Sequence, residues 1–313
     1  MSRFGFVGGR TLQAIPVILG VTIISFFVLR LIPGDPTTVM LGTHWTPARA
    51  AQLRENLGLN KPVWTQYYLF MDHLAHGNLG DSVYYRSPVA HLISQRLPVT
   101  LWLAAYATII AVSISIPLAT ISALRKNGVV DQSVRATFLV TFAMPPFWVG
   151  LILILLLSLH LHVFPVSGYG SGFFGHLYDL FLPSLTIALG FSAILIRTLR
   201  NGILGVLRAD YIDTAKAKGL SRQRLLRRHV LRNAMLTAVT VLGVNLSFLI
   251  GSTVIIENVF ALPGLGQLLA SSIFTRDLSV VQGITLVFGI LVVLINLLTD
   301  VAYAALDPRV AYD

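Results

Sequence analysis

Asp210-Tyr211-Ile212-Asp213-Thr214-Ala215-Lys216-Ala217-Lys218-Gly219-Leu220-Ser221 is followed closely by Arg227-Arg228-His229-Val230-Leu231-Arg232-Asn233-Ala234. This is a charged, helix-forming stretch placed between two long apolar runs. Its small residues, Ala209, Ala215 and Ala217, permit close approach of another surface. Gly219 fits the left-handed position just past a helix end, and Ser221 fits the cap of the next helix, Arg222–Asn233. The pattern predicts two short helices at an angle, a rigid elbow able to pass movement from a soluble partner into the apolar segments. A plainer reading is a basic loop that fixes topology and touches anionic lipid.

The surroundings of this loop decide the fold class. Of 313 residues, 55% are hydrophobic and only 12% are charged, against about 25% charged in an ordinary soluble domain. Six runs are long enough to cross about 30 Å of hydrocarbon as helices. They are Leu12–Ile32, Pro98–Leu124, Ala136–Leu159, Leu180–Ile196, Ala234–Ile256 and Leu278–Thr299. The second, third, fifth and sixth hold no charged residue. Arg30, Arg197, Glu257 and Asp300 stand at span ends, where side chains reach the interface. The first run is read as a span and not a cleaved signal, because no small-x-small site precedes Pro33-Gly34-Asp35-Pro36. The expected fold is all-α and integral to the membrane: six transmembrane helices, an external helical insert and a cytosolic helix-turn-helix.

The net charge of +10 invites a nucleic-acid reading, but the basic residues fall in alternate loops. With a cytosolic N-terminus, 16 of the 23 Lys and Arg lie inside, ten of them between Arg197 and Arg232 and the last at Arg309. The external loop Leu161–Asp179 has none. This positive-inside pattern puts both termini in the cytosol. The expected divisions are 1–32 (cytosolic end and first span), 33–97 (external insert) and 98–313 (five-helix core), with the cytosolic loop at 197–233. Within the insert, helices are expected from Pro47 to Leu57, ended by Gly58, and from Pro62 to His76, ended by Gly77.

No cysteine is present, which excludes disulfides, thiolate metal sites and cysteine nucleophiles. No Gly-x-x-x-x-Gly-Lys-Ser/Thr loop is present, so ATP phosphates are not held here in that manner. His73 and His76 share a helix face but lack accompanying ligands, and no metal site is expected. No catalytic constellation is legible either. Polar residues within spans face a bundle interior or a cavity, and Asn245, Gln282 and Asn296 are candidates for a substrate path. Ser and Thr in the same spans more often bond the backbone. Glu257 would either gate or attract an amine on the path or pair with Arg276, and pairing is favoured.

The segment from Asp210 to Ala234 resembles the loop by which permeases of the peptide/nickel ABC importer family engage their ATPase. Asp213 stands at that motif's Glu position, Thr214 and Ala215 at its two Ala positions and Gly219 at its Gly. Asp213-Thr214 replaces the wider motif's Glu-Ala, and Leu231-Arg232 replaces its Leu-Pro. The likeness runs through the chain: Arg30 to Pro36, Leu57 to Pro62, Gly77 to Ser82, Arg96 to Leu101, Glu257 to Gly266, Val281-Gln282-Gly283 and Leu306 to Arg309. The insert is similar to that of the B-type subunits of dipeptide and oligopeptide importers. The resemblance implies a non-catalytic permease subunit in a bacterial or archaeal cytoplasmic membrane. It implies a homologous second permease, two ATPase subunits or domains that bind ATP and Mg, and an external binding protein. No cofactor is implied in this chain. Contacts to the ATPase would fall on Asp213, Thr214, Ala215, Lys216, Gly219 and Leu220, with Arg228 and His229 supporting the loop. Nickel or glutathione import is the family alternative; from other classes, a stand-alone channel, a secondary transporter or a membrane anchor.

Overall fold

The computed structural model describes residues 3–31 and 34–306, so Ile32, Pro33 and the terminal Asp307-Pro308-Arg309 lie outside the described residues. Among the described residues the chain is helical apart from one antiparallel pair of two-residue strands, β1 (Asp81–Ser82) and β2 (Ser87–Pro88). Contacts divide it into two compact units. One comprises residues 1–10, 101–262 and 294–313; the other comprises 11–100 and 263–293. This division cuts across the one expected from sequence, because residues 263–293 cluster with the segment that holds the insert.

Among the described residues, four helices are long and apolar enough to cross a membrane: Val89–Leu124, Phe181–Leu207, Ala238–Val259 and Leu278–Tyr303. The expected third span is not one rod. It consists of α6 (Val129–Ala143) and α7 (Pro146–Leu153, continued as a π-helical turn Ile154–His160), meeting at 106°. Proline disfavours helical backbone in the residue before it, and Met144 and Pro145, each preceding a proline, are both extended. The first expected span falls in α1 (Arg3–Arg30), whose apolar stretch Ala14–Val28 is shorter than a full crossing.

In the larger unit, α9 (Phe181–Leu207) is the centre, with 67% of its apolar window buried. It packs against α6, α7 and most extensively α12 (Arg232–Val259). The helix α5 (Val89–Leu124) presents a buried row at every fourth position, Leu103, Ala107, Ala111, Ser115, Ala119 and Ala123. Mostly small, such residues let backbones approach closely in lipid. The Ser192 hydroxyl donates to the Ala111 carbonyl across this seam at 3.5 Å. Gly243 of α12 meets α14 (Leu278–Leu306) in the same way. A Cβ there would stand 2.2 Å from Thr299 Cγ2 and 2.7 Å from its Cβ. Gly243→Ala is therefore expected to lower stability by about 1–3 kcal/mol, read as a lower melting temperature in detergent. Thr299→Ala in the same chain should recover part of the loss.

The second unit explains several short sequence motifs. Insert helices α3 (Pro47–Asn56) and α4 (Val63–Ala75) form near the predicted limits, with Gly58 and Gly77 just beyond them at φ +65° and +73°, and a further short helix, α2 (Pro36–Leu41), precedes them. Asp35 caps α2 through the Thr37 N–H. Burial tends to raise the Asp35 carboxyl, but bonds from Thr37 and the Arg54 guanidinium outweigh it and hold the group below its usual range. Aromatic α4 packs on α1, with Phe26 edge-on to Tyr67 at 5.1 Å and stacked on Phe70 at 5.9 Å. Asp277, fully buried at the start of α14, accepts the Ser82 hydroxyl at 2.5 Å and the Tyr84 N–H at 3.2 Å, which fastens the strand pair. Gly283 lies where a Cβ would come within 2.7 Å of Val89, so only glycine lets α5 and α14 pack here.

Candidate functional site

The charged loop is an elbow built from α9, α10 (Asp210–Ala217) and a long helical rod. α9 does not stop at Ile196 as expected. It continues to Leu207: Arg197–Leu207 contains no proline, and Gly202, which by itself weakens a helix, packs against Ala234. Only Arg208 and Ala209 separate it from α10. Ile212 and Ala215, three residues apart, share one face of α10 and are buried with Ile203, Leu225 and Val230. Ala215, expected as a partner contact, thus anchors α10 to the core. Asp213, Thr214, Lys216 and Lys218 occupy the exposed side, where Lys216 Nζ bonds Asp213 Oδ1 at 2.8 Å. The Thr214 hydroxyl donates to the Asp210 carbonyl at 3.2 Å.

The end of α10 is a Schellman turn. The Gly219 N–H bonds the Lys216 carbonyl at 2.9 Å and the Leu220 N–H bonds that of Ala215 at 3.2 Å. Gly219 takes φ +78°, as its position in the sequence predicts. Leu220 then folds back onto the core cluster. Ser221 stands at the N-cap of α11 (Arg222–Arg224), yet its side chain makes no capping bond.

Beyond Ser221 the chain departs from the expected short helix ending at Asn233. α11, a π-helical turn at Leu225–Leu231 and α12 run without interruption to Val259. Widening the turn to i→i+5 brings Leu225 and Val230, five residues apart, to the same buried side. Nothing between Arg232 and Ala234 breaks the helix, and Asn233 Nδ2 instead donates to Tyr211 Oη at 3.0 Å, tying the rod to α10. Arg228 is exposed and His229 half-buried on the π turn. The elbow is therefore one short helix held between two membrane helices, and its outer surface carries Lys216, Lys218, Arg222, Arg224, Arg227 and Arg228 against Asp210 and Asp213.

Behind the elbow lies a network that sequence reading missed. Asp131, fully buried at the start of α6, accepts Arg200 Nε at 2.7 Å and Nη2 at 2.5 Å, the Asn127 N–H at 2.9 Å and the Ser122 hydroxyl. It locks α5, α6 and α9 together just before α9 enters the elbow. The only sequence signal was a lone carboxylate between the second and third apolar runs and an arginine just past the fourth.

Of the four substrate-path candidates, Asn245, Glu257 and Asn296 belong to the larger unit and Gln282 to the other. Asn245 lines a cavity of about 220 Å³ beside the broken span, with Met144, Pro146, Gly190, Phe191 and Ser252. Asn296 accepts the Ser247 hydroxyl at 3.3 Å, on the α12–α14 contact. Glu257 is fully buried near the end of α12. Gln282 belongs to the other unit, where it lines a cavity with Phe70, His73 and Ser82.

The chain matches known proteins along its whole length. Residues 115–312 match the family described as binding-protein-dependent transport system inner membrane component, and residues 1–104 match that family's N-terminal component. An oligopeptide transport system permease protein, AppB, of Bacillus subtilis is 40% identical over 309 residues, covering 97% of this chain and 98% of that protein. The dipeptide permease protein DppB of Escherichia coli K12 is 36% identical over 334 residues, covering 98% of each. Among solved structures, the MetNI methionine ABC transporter in an inward-facing form is similar in fold. Its TM-score is 0.59 at 17% identity, covering 69% of this chain and 96% of that one. An amino acid ABC transporter is also similar in fold, with TM-score 0.51 at 15% identity. With its long apolar helices and these matches, the chain is a multi-pass membrane protein and belongs to the family of binding-protein-dependent transport system inner membrane components.

Proposed function

We propose that the chain forms half of the translocation path of an ATP-driven importer for di- or oligopeptides and takes its power stroke through α10. The carrying observation is the elbow. An exposed, charged helix is fixed to the core through Ile212 and Ala215 and joined by short turns to α9 and to the rod of α11 and α12, so displacement of α10 is passed to two membrane helices. Asp213, Thr214, Lys216 and Gly219 form the surface offered to an ATPase; Ala215 and Leu220 hold it in place from behind. ATP and Mg are bound by that partner, and this chain performs no catalysis. The positive-inside charge pattern supports a cytosolic elbow and cytosolic termini in a cytoplasmic membrane. A homologous second permease and an external binding protein complete the assembly. The peptide cargo is supported by the names of the oligopeptide and dipeptide relatives. Nickel or glutathione has no observation in its favour.

Affinity purification of the chain from its native membrane tests this reading. Recovery of a second permease, ATPases and a binding protein is expected; recovery of the chain alone, from a preparation that preserves other complexes, would sink it.

The cavity beside the broken span is our proposed part of the path. Irregular backbone at membrane depth is tolerated where it is buried in protein or lines a cavity, and Met144–Pro146 does so here. A Cβ on Gly190 would meet nothing within 4 Å. Gly190→Leu should therefore insert normally and fill the cavity. Uptake of peptides with bulky apolar side chains is expected to fall several-fold, on the scale of about 1–3 kcal/mol of lost binding space, while glycyl and alanyl peptides are spared. Unchanged uptake of the bulky peptides would remove this cavity from the path.

A further inference from the structure

Beside the Asp131 network, α6 and α9 enclose a groove of about 910 Å³ that the coupling role leaves unused. Its two ends differ in chemistry. Lys126, Arg135 and Arg197 stand at the end nearest α10, with Asn127, Gln132 and Asn201 between them. Among the described residues none of these three cations has an ion-pair partner. The groove's neighbouring carboxylate, Asp131, is fully engaged by Arg200, Ser122 and Asn127. Away from α10 the wall becomes apolar, with Phe138, Leu139, Phe142 and Ile194. Leu139 is 70% exposed and Phe142 is 57% exposed, so among the described residues nothing of the chain covers this wall.

We infer that this groove is a specific site for an anionic phospholipid of the membrane leaflet on the α10 side. The phosphate would sit among Lys126, Arg135 and Arg197, and an acyl chain would run along Leu139, Phe142 and Ile194. From Arg135 to Phe142 the helix rises about 10 Å, which seats the first half of such a chain. A soluble anion would use the charged end and leave the exposed apolar wall in water. A packed helix from another chain would use the wall and bury three cations without partners, which is costly. An anionic amphiphile satisfies both ends, and basic pockets between membrane helices on the cytosolic face suit such headgroups. The site shares Phe142 and Ile194 with the cavity that holds Asn245, so its occupancy bears on the broken span.

The test uses the importer complex extracted in mild detergent or placed in phosphatidylcholine nanodiscs containing some phosphatidylglycerol, with bound lipid read by native mass spectrometry. The intact complex should retain phosphatidylglycerol against phosphatidylcholine. Each neutralised cation should lower its retention about fivefold, so Arg135→Gln with Arg197→Gln should lower it about 25-fold. Arg222→Gln with Arg227→Gln, which removes equal charge outside the groove, should leave it unchanged. Leu139→Ser keeps the charges and should also release the lipid, which keeps the inference open to refutation if the double variant fails to assemble. Equal retention of both lipids overturns the inference. So does displacement of phosphatidylglycerol by inorganic phosphate alone, or a Leu139→Cys cross-link to a second permease. These readings do not depend on whether peptide is the cargo.

Discussion

Gly219→Asp is expected to insert and fold, yet to cut uptake by roughly tenfold or more, the scale of a coupling free energy of about 1–3 kcal/mol. Gly219 sits at φ +78°, where an L-residue costs about 1–2 kcal/mol. A Cβ at that position meets nothing within 4 Å, so the penalty is conformational strain and not a clash. Strain resolves most cheaply by opening the turn. That releases the Gly219 and Leu220 N–H bonds to Lys216 and Ala215 and lets the end of α10 swing free of the core. The aspartate also sets a negative charge on a basic surface, against the complementarity that would guide an acidic partner. Three variants separate the two causes. Gly219→Asn tolerates the left-handed conformation and should be mild; Gly219→Ala carries the strain without charge; Gly219→Asp shares the shape of Asn and adds the charge, so its loss beyond Gly219→Asn reads the charge and the loss in Gly219→Ala reads the strain. Uptake and ATP hydrolysis, measured together in the reconstituted complex, should show hydrolysis continuing while transport falls. Normal uptake by Gly219→Asp would remove α10 from the coupling path.

The second large effect is structural. Asp131→Ala should destabilise the chain by about 3–5 kcal/mol, because it strands a largely buried guanidinium. Asp131 is fully buried and the Arg200 side chain is 11% exposed. Ser122 and the Asn127 N–H also lose their acceptor. A compensating change discriminates the cause. Asp131→Ala with Arg200→Met removes both charges and should recover much of the loss, since a well-packed apolar pair often replaces a buried ion pair at little cost. Thermal unfolding of the four members of this cycle in detergent measures the coupling directly. If Arg200→Met fails to offset Asp131→Ala, the ion pair is not what holds α5, α6 and α9 together.

The contrast between Gly219 and Asp131 shows what this sequence discloses. Local rules act on neighbours in the chain, and they served well. Charge-free runs marked the long membrane helices, Gly58, Gly77 and Gly219 marked turns at positive φ, and the small residues of α10 marked a close approach. Ala215, read from sequence as a contact to the ATPase, lies three residues from Ile212 and shares its buried face. The break at Met144–Pro146 was written in two consecutive prolines but lost in the hydropathy of the surrounding run. The continuity of α11 with α12 depended on a π turn, whose benefit appears only once Leu225 and Val230 have a common core to enter. Asp131, Arg200 and Ser122 lie 9 to 78 residues apart in sequence, and no local rule joins them. For the substrate path, polarity within spans selected Asn245, Asn296 and Gln282 without saying which way each faces.

The central claim is that the outer face of α10 rests on the ATPase. A photoreactive amino acid placed at Lys216, which is exposed and whose ammonium bonds Asp213 among the described residues, tests it most directly in the assembled complex. The account predicts a cross-link to the ATPase whose yield changes when ATP is bound. A cross-link only to lipid, with the ATPase present and co-purifying, would contradict it and return this segment to the role of a basic, topology-fixing loop.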